Sequence, residues 1–262
     1  MDHLLQTILL GIIEGITEFL PISSTGHLLI AEKLGLGARS DLFNVVIQAG
    51  AILAVTFIYW QRVWVLFTGF KDPVNRDYII KLAVAFLITA VLGLIATKMG
   101  LKLPTEIRPV AIALLVGGIW MLVAEWLAGK RTSSDDITWA IAITIGVAQI
   151  VAGMFPGTSR SGATIFAAML LGCTRFSATE FTFLVGIPTM YAASANELYK
   201  ALKAGAPNEN WLELGIGFVV SAVVAFIAVK WLLNYIQSHK FTVFAWYRIV
   251  LGIALLAFLP GL

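Results

Sequence analysis

The sequence predicts an all-α polytopic membrane protein with about six transmembrane helices and two re-entrant helix hairpins in an inverted-topology repeat. Three observations lead to that prediction. The 262 residues are 59% hydrophobic and only 13% charged, whereas an average soluble domain is about 25% charged. Six stretches are long and apolar enough to cross a bilayer. Two further apolar segments are each interrupted by a short polar run that contains proline and serine.

The composition excludes several classes of protein. A soluble domain of this size could not shield so much apolar surface from water, and the chain is too apolar for a disordered protein or a coiled coil. A transmembrane β-barrel would need alternating strands of about ten residues, and no such pattern occurs. The net charge is +3 without a basic block, so no nucleic-acid partner is expected. We therefore expect a single membrane domain over residues 1–262.

Six apolar stretches of about 20 residues are expected to span the bilayer as helices. In chain order they are residues 42–60, 79–98, 109–128, 177–199, 211–235 and 242–260. Tryptophans lie near many of their ends, as an aromatic belt at the membrane surface predicts. Lysine and arginine are shared almost equally between the two faces of this arrangement, so charge does not fix its orientation.

Two other apolar segments, residues 4–36 and 137–173, are predicted to be re-entrant hairpins. Each consists of an apolar helix, a polar break and a second short helix. The breaks are Pro-Ile-Ser-Ser-Thr-Gly-His at 21–27 and Pro-Gly-Thr-Ser-Arg-Ser at 156–161. Irregular backbone at membrane depth is tolerated only where it is buried in protein or lines a wet cavity. Both breaks are therefore expected to lie inside the protein.

The two hairpin segments resemble each other at an offset of 135 residues. This offset places Gly146, Gln149, Pro156 and Ser159 on Gly11, Glu14, Pro21 and Ser24. If the similarity reflects a true repeat, the repeats are residues 1–128 and 137–262, each with one hairpin followed by three spans. The alternative is chance similarity. Because three is odd, the second repeat would enter the membrane from the opposite face, and the breaks would meet near the midplane to form one site.

Glu14 and Glu18 lie four residues apart on one helix, so both carboxylates point to the same face. Ionisable residues at membrane depth are costly and are functional by default. Two such close anions should share a proton, bind a cation or face water. The alternative is a surface helix with both carboxylates in solvent, which the apolar flanks disfavour.

Polar side chains capable of acid–base or nucleophilic chemistry follow in the first break: Ser23, Ser24, Thr25 and His27. The alternative for the hydroxyls is helix N-capping, which would account for one of the three. A lone histidine in a helix is usually structural. A histidine next to hydroxyls and two buried carboxylates is a better candidate for a general acid, a general base or a nucleophile.

The second break is predicted to bind an anion. Arg160 lies among Gly157, Ser159, Ser161 and Thr164, directly before a helix whose first N–H groups are free. A guanidinium group matches phosphate in a bidentate manner. The alternative is an interfacial loop whose arginine reaches the lipid headgroups. Together with the first break, this pattern indicates chemistry on a phosphate.

These motifs resemble the signature motifs of the undecaprenyl pyrophosphate phosphatase family, the bacitracin-resistance type, and the resemblance covers the whole chain. It implies hydrolysis of a C55 isoprenyl pyrophosphate to the monophosphate carrier, which is recycled for cell-wall synthesis. It also implies the bacterial inner membrane, a divalent cation (Mg²⁺ or Ca²⁺) and a site that opens to the periplasmic side. Bacitracin resistance would follow because the enzyme removes the lipid pyrophosphate that the antibiotic sequesters.

The resemblance also implies roles for individual residues. Glu18 and Glu14 would bind the metal or activate the nucleophile, and either Ser24 or His27 would be that nucleophile, with the other as its partner. The substrate-binding set is Arg160, Ser159, Ser161, Thr164, Ser23, Thr25 and Gly157. A membrane transporter or lipid flippase with an anion site is the alternative function, and a homodimer is possible because small residues such as Gly117-Gly118 allow close helix contacts. The one cysteine, Cys173, excludes an internal disulfide and is expected to serve in packing.

Overall fold

The structure is a computed structural model that describes residues 3–99, 106–203 and 210–258. In these ranges the chain forms eleven α-helices and no β-strand. In chain order the helices are α1 (His3–Thr17), α2 (Ser24–Ala31), α3 (Asp41–Ile58), α4 (Trp60–Thr68), α5 (Pro73–Lys98), α6 (Ile107–Ala128), α7 (Trp139–Met154), α8 (Arg160–Leu170), α9 (Arg175–Lys203), α10 (Trp211–Ser238) and α11 (Thr242–Phe258). A π-helical turn, Glu32–Leu36, follows α2 directly.

The long helices confirm a polytopic membrane protein. Within the described ranges, four helices are long and apolar enough to cross a membrane, namely α3, α6, α10 and Pro73–Ala96 of α5. Of the two other predicted spans, α9 is long enough but more polar, and α11 is apolar but has only 17 described residues. The last two residues of the predicted span 242–260, and the limits 1 and 262 of the predicted domain, lie outside the described residues.

Both predicted helix–break–helix segments are present. Residues 18–23 separate α1 from α2, and residues 155–159 separate α7 from α8, so the second helix of each pair begins within the predicted break. Helices α1, α7 and α8 are apolar, and each break is largely buried. The structure therefore places irregular backbone inside the protein, where its polar groups can find partners.

The connection between the first two spans differs from the prediction. The polar connection expected over residues 61–78 is largely helical, because it contains most of α4. Helix α5 begins six residues earlier than predicted. Trp60 and Trp64 of α4 are exposed and stack on each other, as expected for a helix at the membrane surface. Pro73 suits the first turn of α5, and the Asp72 carboxylate accepts the N–H of Asn75 at 3.0 Å.

Close helix contacts between the two halves depend on glycines. Gly11 and Gly15 bring α1 against α10, and Gly146 brings α7 against α5; an added Cβ at each would meet a backbone oxygen within about 3 Å. Helix α1 thus packs on a span of the second half, and α7 packs on a span of the first half. The two halves therefore pack against each other, and the inverted repeat itself stays a prediction.

Candidate active site

The two breaks have the same local geometry. Ser23 and Ser159 adopt φ values of 75° and 69°, a left-handed conformation that serine rarely accepts. Each caps the helix that follows, since the Ser23 hydroxyl accepts the N–H of Gly26 at 3.3 Å and the Ser159 hydroxyl accepts that of Gly162 at 3.2 Å. The capping alternative is therefore correct for Ser23. Such strained backbone is characteristic of functional sites.

This geometry corrects the alignment of the two halves. The caps are related by an offset of 136 residues, whereas the preceding helices match at 135. Ser23, and not Ser24, therefore corresponds to Ser159. Ser24 corresponds to Arg160, and each is the first residue of its helix. The two breaks thus place a hydroxyl and a guanidinium group at equivalent positions.

Glu18 joins these two side chains. The Ser24 hydroxyl donates a hydrogen bond to Glu18 Oε2, and Arg160 Nη2 donates one to Glu18 Oε1 at 3.0 Å. The glutamate is only 7% exposed, so the ion pair lies mostly out of water. Residues separated by 142 positions in the sequence therefore share one carboxylate.

The three side chains line a cavity of about 260 Å³ between the breaks. Its other lining residues include Ser23, Thr25, Gln48, Gly157, Ser159, Thr189 and Met190. A wider cavity of about 690 Å³ adjoins it and shares Ser24, Thr25 and Gln48 as lining residues. Its wall is strongly charged and contains Glu14, Glu32, Arg39, Asp41, Glu197 and Lys200. We call this wider space the vestibule, since it connects the small cavity to the end of α9.

Glu14 is the residue best placed to hold a cation. It is 1% exposed, interacts with Glu18, and its Oε2 atom has no hydrogen-bond partner among the described residues. A buried carboxylate oxygen without a partner is costly unless a ligand completes it. No group of three or more His, Cys, Asp or Glu side chains suited to a metal occurs in the described part of the chain. Two carboxylates alone fit Mg²⁺, which keeps waters and binds substrate phosphates besides protein ligands.

His27 does not contact the Ser24 hydroxyl. Its Nδ1 atom lies 2.7 Å from the Ser23 carbonyl oxygen, and its Nε2 atom lies 2.7 Å from the hydroxyl of Tyr247 on α11. Since a neutral imidazole donates from one nitrogen, Nδ1–H donates to the carbonyl and Nε2 accepts from the tyrosine. Both ring nitrogens are therefore used in holding the first break.

Comparison with known proteins adds the family. The model of the family described as bacitracin resistance protein BacA matches residues 7–254. The chain belongs to this family. A protein of Rhizobium johnstonii is 66% identical over 98% of this chain and 97% of its own length. One of Xanthomonas oryzae pv. oryzae is 59% identical over 100% of this chain and 99% of its own length. Both are named undecaprenyl-diphosphatase.

The predicted phosphate-binding hydroxyls of this BacA-family chain fall into two groups. Ser23, Thr25 and Ser159 line the small cavity. Ser161 instead donates to the Leu20 carbonyl at 3.2 Å, and Thr164 donates to the Arg160 carbonyl at 2.8 Å. Both residues are almost fully buried; the Ser161 hydroxyl connects α8 to Leu20 before the first break, whereas the hydrogen bond of Thr164 stays within α8. Their predicted role in substrate binding stays a prediction.

Sequence reasoning missed Arg248 in this BacA-family chain. The side chain is completely buried on α11 and contacts the backbone of both breaks. The sequence did indicate this residue, because an arginine in the middle of the apolar stretch 242–260 is unusual at membrane depth. Met190, whose sulfur contacts the Arg160 guanidinium, carried no signal because a methionine in a span is ordinary.

Proposed function

We propose that this chain is an undecaprenyl-diphosphatase. It would hydrolyse C55 isoprenyl pyrophosphate to undecaprenyl phosphate and inorganic phosphate, recycle the lipid carrier for cell-wall synthesis and confer bacitracin resistance. The contact of Ser24 and Arg160 with the same carboxylate, Glu18, is the observation that supports this chemistry most directly. A nucleophile beside its base and a guanidinium group for phosphate are what phosphoryl transfer needs. The printed names of the relatives supply the substrate.

In the first step, Ser24 acts as the nucleophile. Its Oγ atom attacks the terminal phosphorus while its proton passes to Glu18, the acceptor of its hydrogen bond. The anhydride P–O bond breaks, and undecaprenyl phosphate leaves. Arg160 lines the same cavity and offsets the negative charge of the phosphate oxygens.

In the second step, water hydrolyses the phosphoserine. The Oγ–P bond breaks, Glu18 returns the proton to Ser24, and inorganic phosphate leaves while one proton goes to solvent. His27 assists by fixing the Ser23 carbonyl next to the nucleophile, because both its ring nitrogens are used there. We assign the attack to Ser24 because its hydroxyl has Glu18 as a proton acceptor, whereas both ring nitrogens of His27 already have other partners.

A divalent cation, Mg²⁺ or Ca²⁺, would be held by Glu14 and Glu18. When bound, it would neutralise charge on the pyrophosphate. The unpartnered oxygen of Glu14 supports this assignment. Removal of divalent ions with EDTA should stop phosphate release, and Glu14→Gln should raise the Mg²⁺ concentration that restores half of the rate. Full turnover in EDTA would contradict a required cation.

The deciding experiment uses the purified protein in detergent with C55 pyrophosphate and Mg²⁺. Phosphate release supports the phosphatase, because hydrolysis in detergent needs no second compartment, whereas a transporter or flippase breaks no bond and would release none. A rapid quench should trap phosphoserine, and Ser24→Ala should abolish both the adduct and the turnover. Ser238→Ala, at the exposed end of α10, is the matched control. An acid-labile phosphohistidine would instead assign the attack to His27.

We also propose that the protein lies in the bacterial inner membrane with the vestibule open to the periplasm. The vestibule contains Glu197 and Lys200, near the end of α9. This helix has 29 residues and is roughly 43 Å long, enough to cross the bilayer. Its first residue, Arg175, pairs with Glu125 at the opposite end. The two ends of α9 therefore lie near opposite membrane surfaces.

A further inference from the structure

We propose that Arg248 is a positioning residue that holds the two breaks in the alignment in which Ser24 and Arg160 both reach Glu18. The inference rests on the proposed phosphatase function for its kinetic consequences. Arg248 does not line the small cavity. It acts through the backbone of the breaks, and so it is distinct from the residues that line the small cavity.

All five N–H groups of the Arg248 guanidinium have acceptors. A guanidinium has five N–H donors and no acceptor, and here every donor points to a backbone carbonyl oxygen. These carbonyls belong to Leu114 (from Nε, 3.4 Å), Pro21 (from Nη1, 3.2 Å), Thr158 (from Nη1, 2.9 Å), Ala113 (from Nη2, 3.1 Å) and Gly157 (from Nη2, 2.9 Å). The side chain is 0% exposed, so water does not compete for these bonds.

The hydrogen bonds of Arg248 connect four parts of the fold. Pro21 belongs to the first break, Gly157 and Thr158 belong to the second, and the two remaining carbonyls lie on α6. Arg248 itself lies on α11. The breaks are therefore joined twice, by Glu18 through side chains and by Arg248 through backbone carbonyls. The connection through Glu18 depends on side chains that exchange protons or bind substrate during the proposed reaction. The connection through Arg248 does not.

The charge of Arg248 indicates a role beyond packing. No ion pair joins it to a carboxylate in the part of the chain that the structure describes. A buried cation without a counter-ion is costly, and an apolar side chain would avoid that cost. The positive charge lies directly against the break that would hold an anionic pyrophosphate, where it adds favourable potential. Lysine has three donors and could not serve the same five carbonyls.

Gly117 on α6 provides the room for the guanidinium. A Cβ atom at this position would overlap the Arg248 side chain, whose Cζ atom would lie only 2.8 Å away. A substitution here displaces the guanidinium without removing its charge. Gly215→Ala on α10 is the matched control, since its Cβ would enter open space.

The next residue, Tyr247, makes a second contact between α11 and the first break. Its hydroxyl lies 2.7 Å from Nε2 of His27, whose other nitrogen contacts the Ser23 carbonyl oxygen. Helix α11 therefore holds the first break at two points, Pro21 and His27. Such a rigid connection suits a helix that positions reacting groups.

The kinetic test compares Arg248→Met, Arg248→Lys and Gly117→Ala with the wild type in detergent. Misplaced catalytic groups should lower kcat about 100-fold, while KM changes by less than about threefold. A fourth variant, Arg248→Ala, leaves room for an added guanidinium ion, which at millimolar concentration should partly restore its rate. The same ion should not restore the rate of Gly117→Ala, because the new methyl group occupies the place of the guanidinium. Arg175→Met, which removes the arginine at the first residue of α9, should keep its kcat within about threefold of the wild type.

Hydrogen–deuterium exchange tests the same inference without activity. Arg248→Met and Gly117→Ala should accelerate amide exchange in residues 20–27 and 155–162, while α10 stays protected. Unchanged exchange in both breaks, or a kcat within a few-fold of the wild type, would overturn the inference. If Arg248→Met does not fold, Gly117→Ala decides the question. If the wild type releases no phosphate, the proposed function fails, and the exchange result alone decides the role of Arg248.

Discussion

Ser24 and Arg160 show how one backbone position can carry two kinds of chemistry. Each follows a left-handed serine and begins a helix, so each side chain projects from the same kind of turn. In one half this turn carries the proposed nucleophile, and in the other it carries the guanidinium group that is proposed to bind the anionic substrate. Glu18 then aligns the two by accepting a hydrogen bond from each.

Arg160→Lys should reduce phosphate release by about 100-fold. A lysine ammonium is a point charge and cannot contact both a carboxylate and a phosphate with the planar fork of a guanidinium. The measurement is kcat in detergent at saturating C55 pyrophosphate. The matched control is Arg175→Lys, which makes the same exchange at the first residue of α9, away from the small cavity. Near-normal turnover of Arg160→Lys would contradict a bidentate role.

Cys173 should resist alkylation in the folded protein. It is 3% exposed between α8 and α9, and burial raises the pKa of its thiol to about 12. Because the thiolate is the reactive form, only about 1 in 10,000 molecules would carry it at pH 8. Iodoacetamide labelling followed by mass spectrometry should show little adduct from pH 7 to pH 9. Rapid labelling of the folded protein would contradict this, while denaturation in detergent should expose the thiol as the positive control.

At the scale of helices, glycine decides how closely the two halves approach. Gly15 on α1 lies so close to α10 that an added Cβ would be 2.7 Å from the Ser221 carbonyl oxygen. Gly118 on α6 has the same relation to Ala245 on α11, at 2.8 Å. The pair Gly117-Gly118, which suggested close contacts between subunits, thus makes them within this chain. A homodimer stays an expectation from the sequence.

Gly15→Ala should destabilise the protein by about 1–3 kcal/mol, because the new methyl group meets backbone that cannot move aside. The measurement is the apparent Tm in detergent, which should fall relative to the wild type. Gly215→Ala is the control on α10, where helix propensity predicts an unchanged or slightly higher Tm. Equal Tm values for the two variants would show that the α1–α10 contact is looser than the structure indicates.

At the scale of the whole molecule, α9 runs between two charged ends. The vestibule end contains Arg39 and Lys200 together with the carboxylates of Glu32, Asp41 and Glu197, and the other end contains Arg175 paired with Glu125. The anionic headgroup would enter through the vestibule to reach Ser24, while the isoprenyl chain stays among apolar helices. The side of the membrane that the vestibule faces decides which leaflet supplies the substrate.

Labelling of single cysteines should reveal that side. Lys200→Cys, at the vestibule, should react with a membrane-impermeant maleimide in cells whose outer membrane is permeabilised. Lys130→Cys, in the exposed connection after α6, should react only after the inner membrane is opened. The buried Cys173 should contribute no background. The reverse pattern would place the vestibule in the cytoplasm and contradict the proposed periplasmic site.

Much of the fold could be predicted because the membrane imposes simple requirements on a sequence. Long apolar stretches had to become helices, and the helices α3, α6 and α10 lie within a few residues of their predictions. The amphipathic helix α4 was missed because it is too short and too polar to resemble a span. The match of the two halves shifted by one residue because a break contains no periodic pattern to fix its register.

By itself, the sequence determined the class of protein, the location of the two breaks and the choice of Glu14, Glu18 and Arg160 as unusual charges. Hydrophobicity and charge at membrane depth are local properties, and a single chain displays them directly. Only the tertiary structure decided which groups meet. It joined Ser24 and Arg160 on Glu18, turned His27 toward α11 and placed Arg248 against both breaks. Those contacts join residues up to 227 positions apart, and their geometry depends on helix packing and not on sequence spacing.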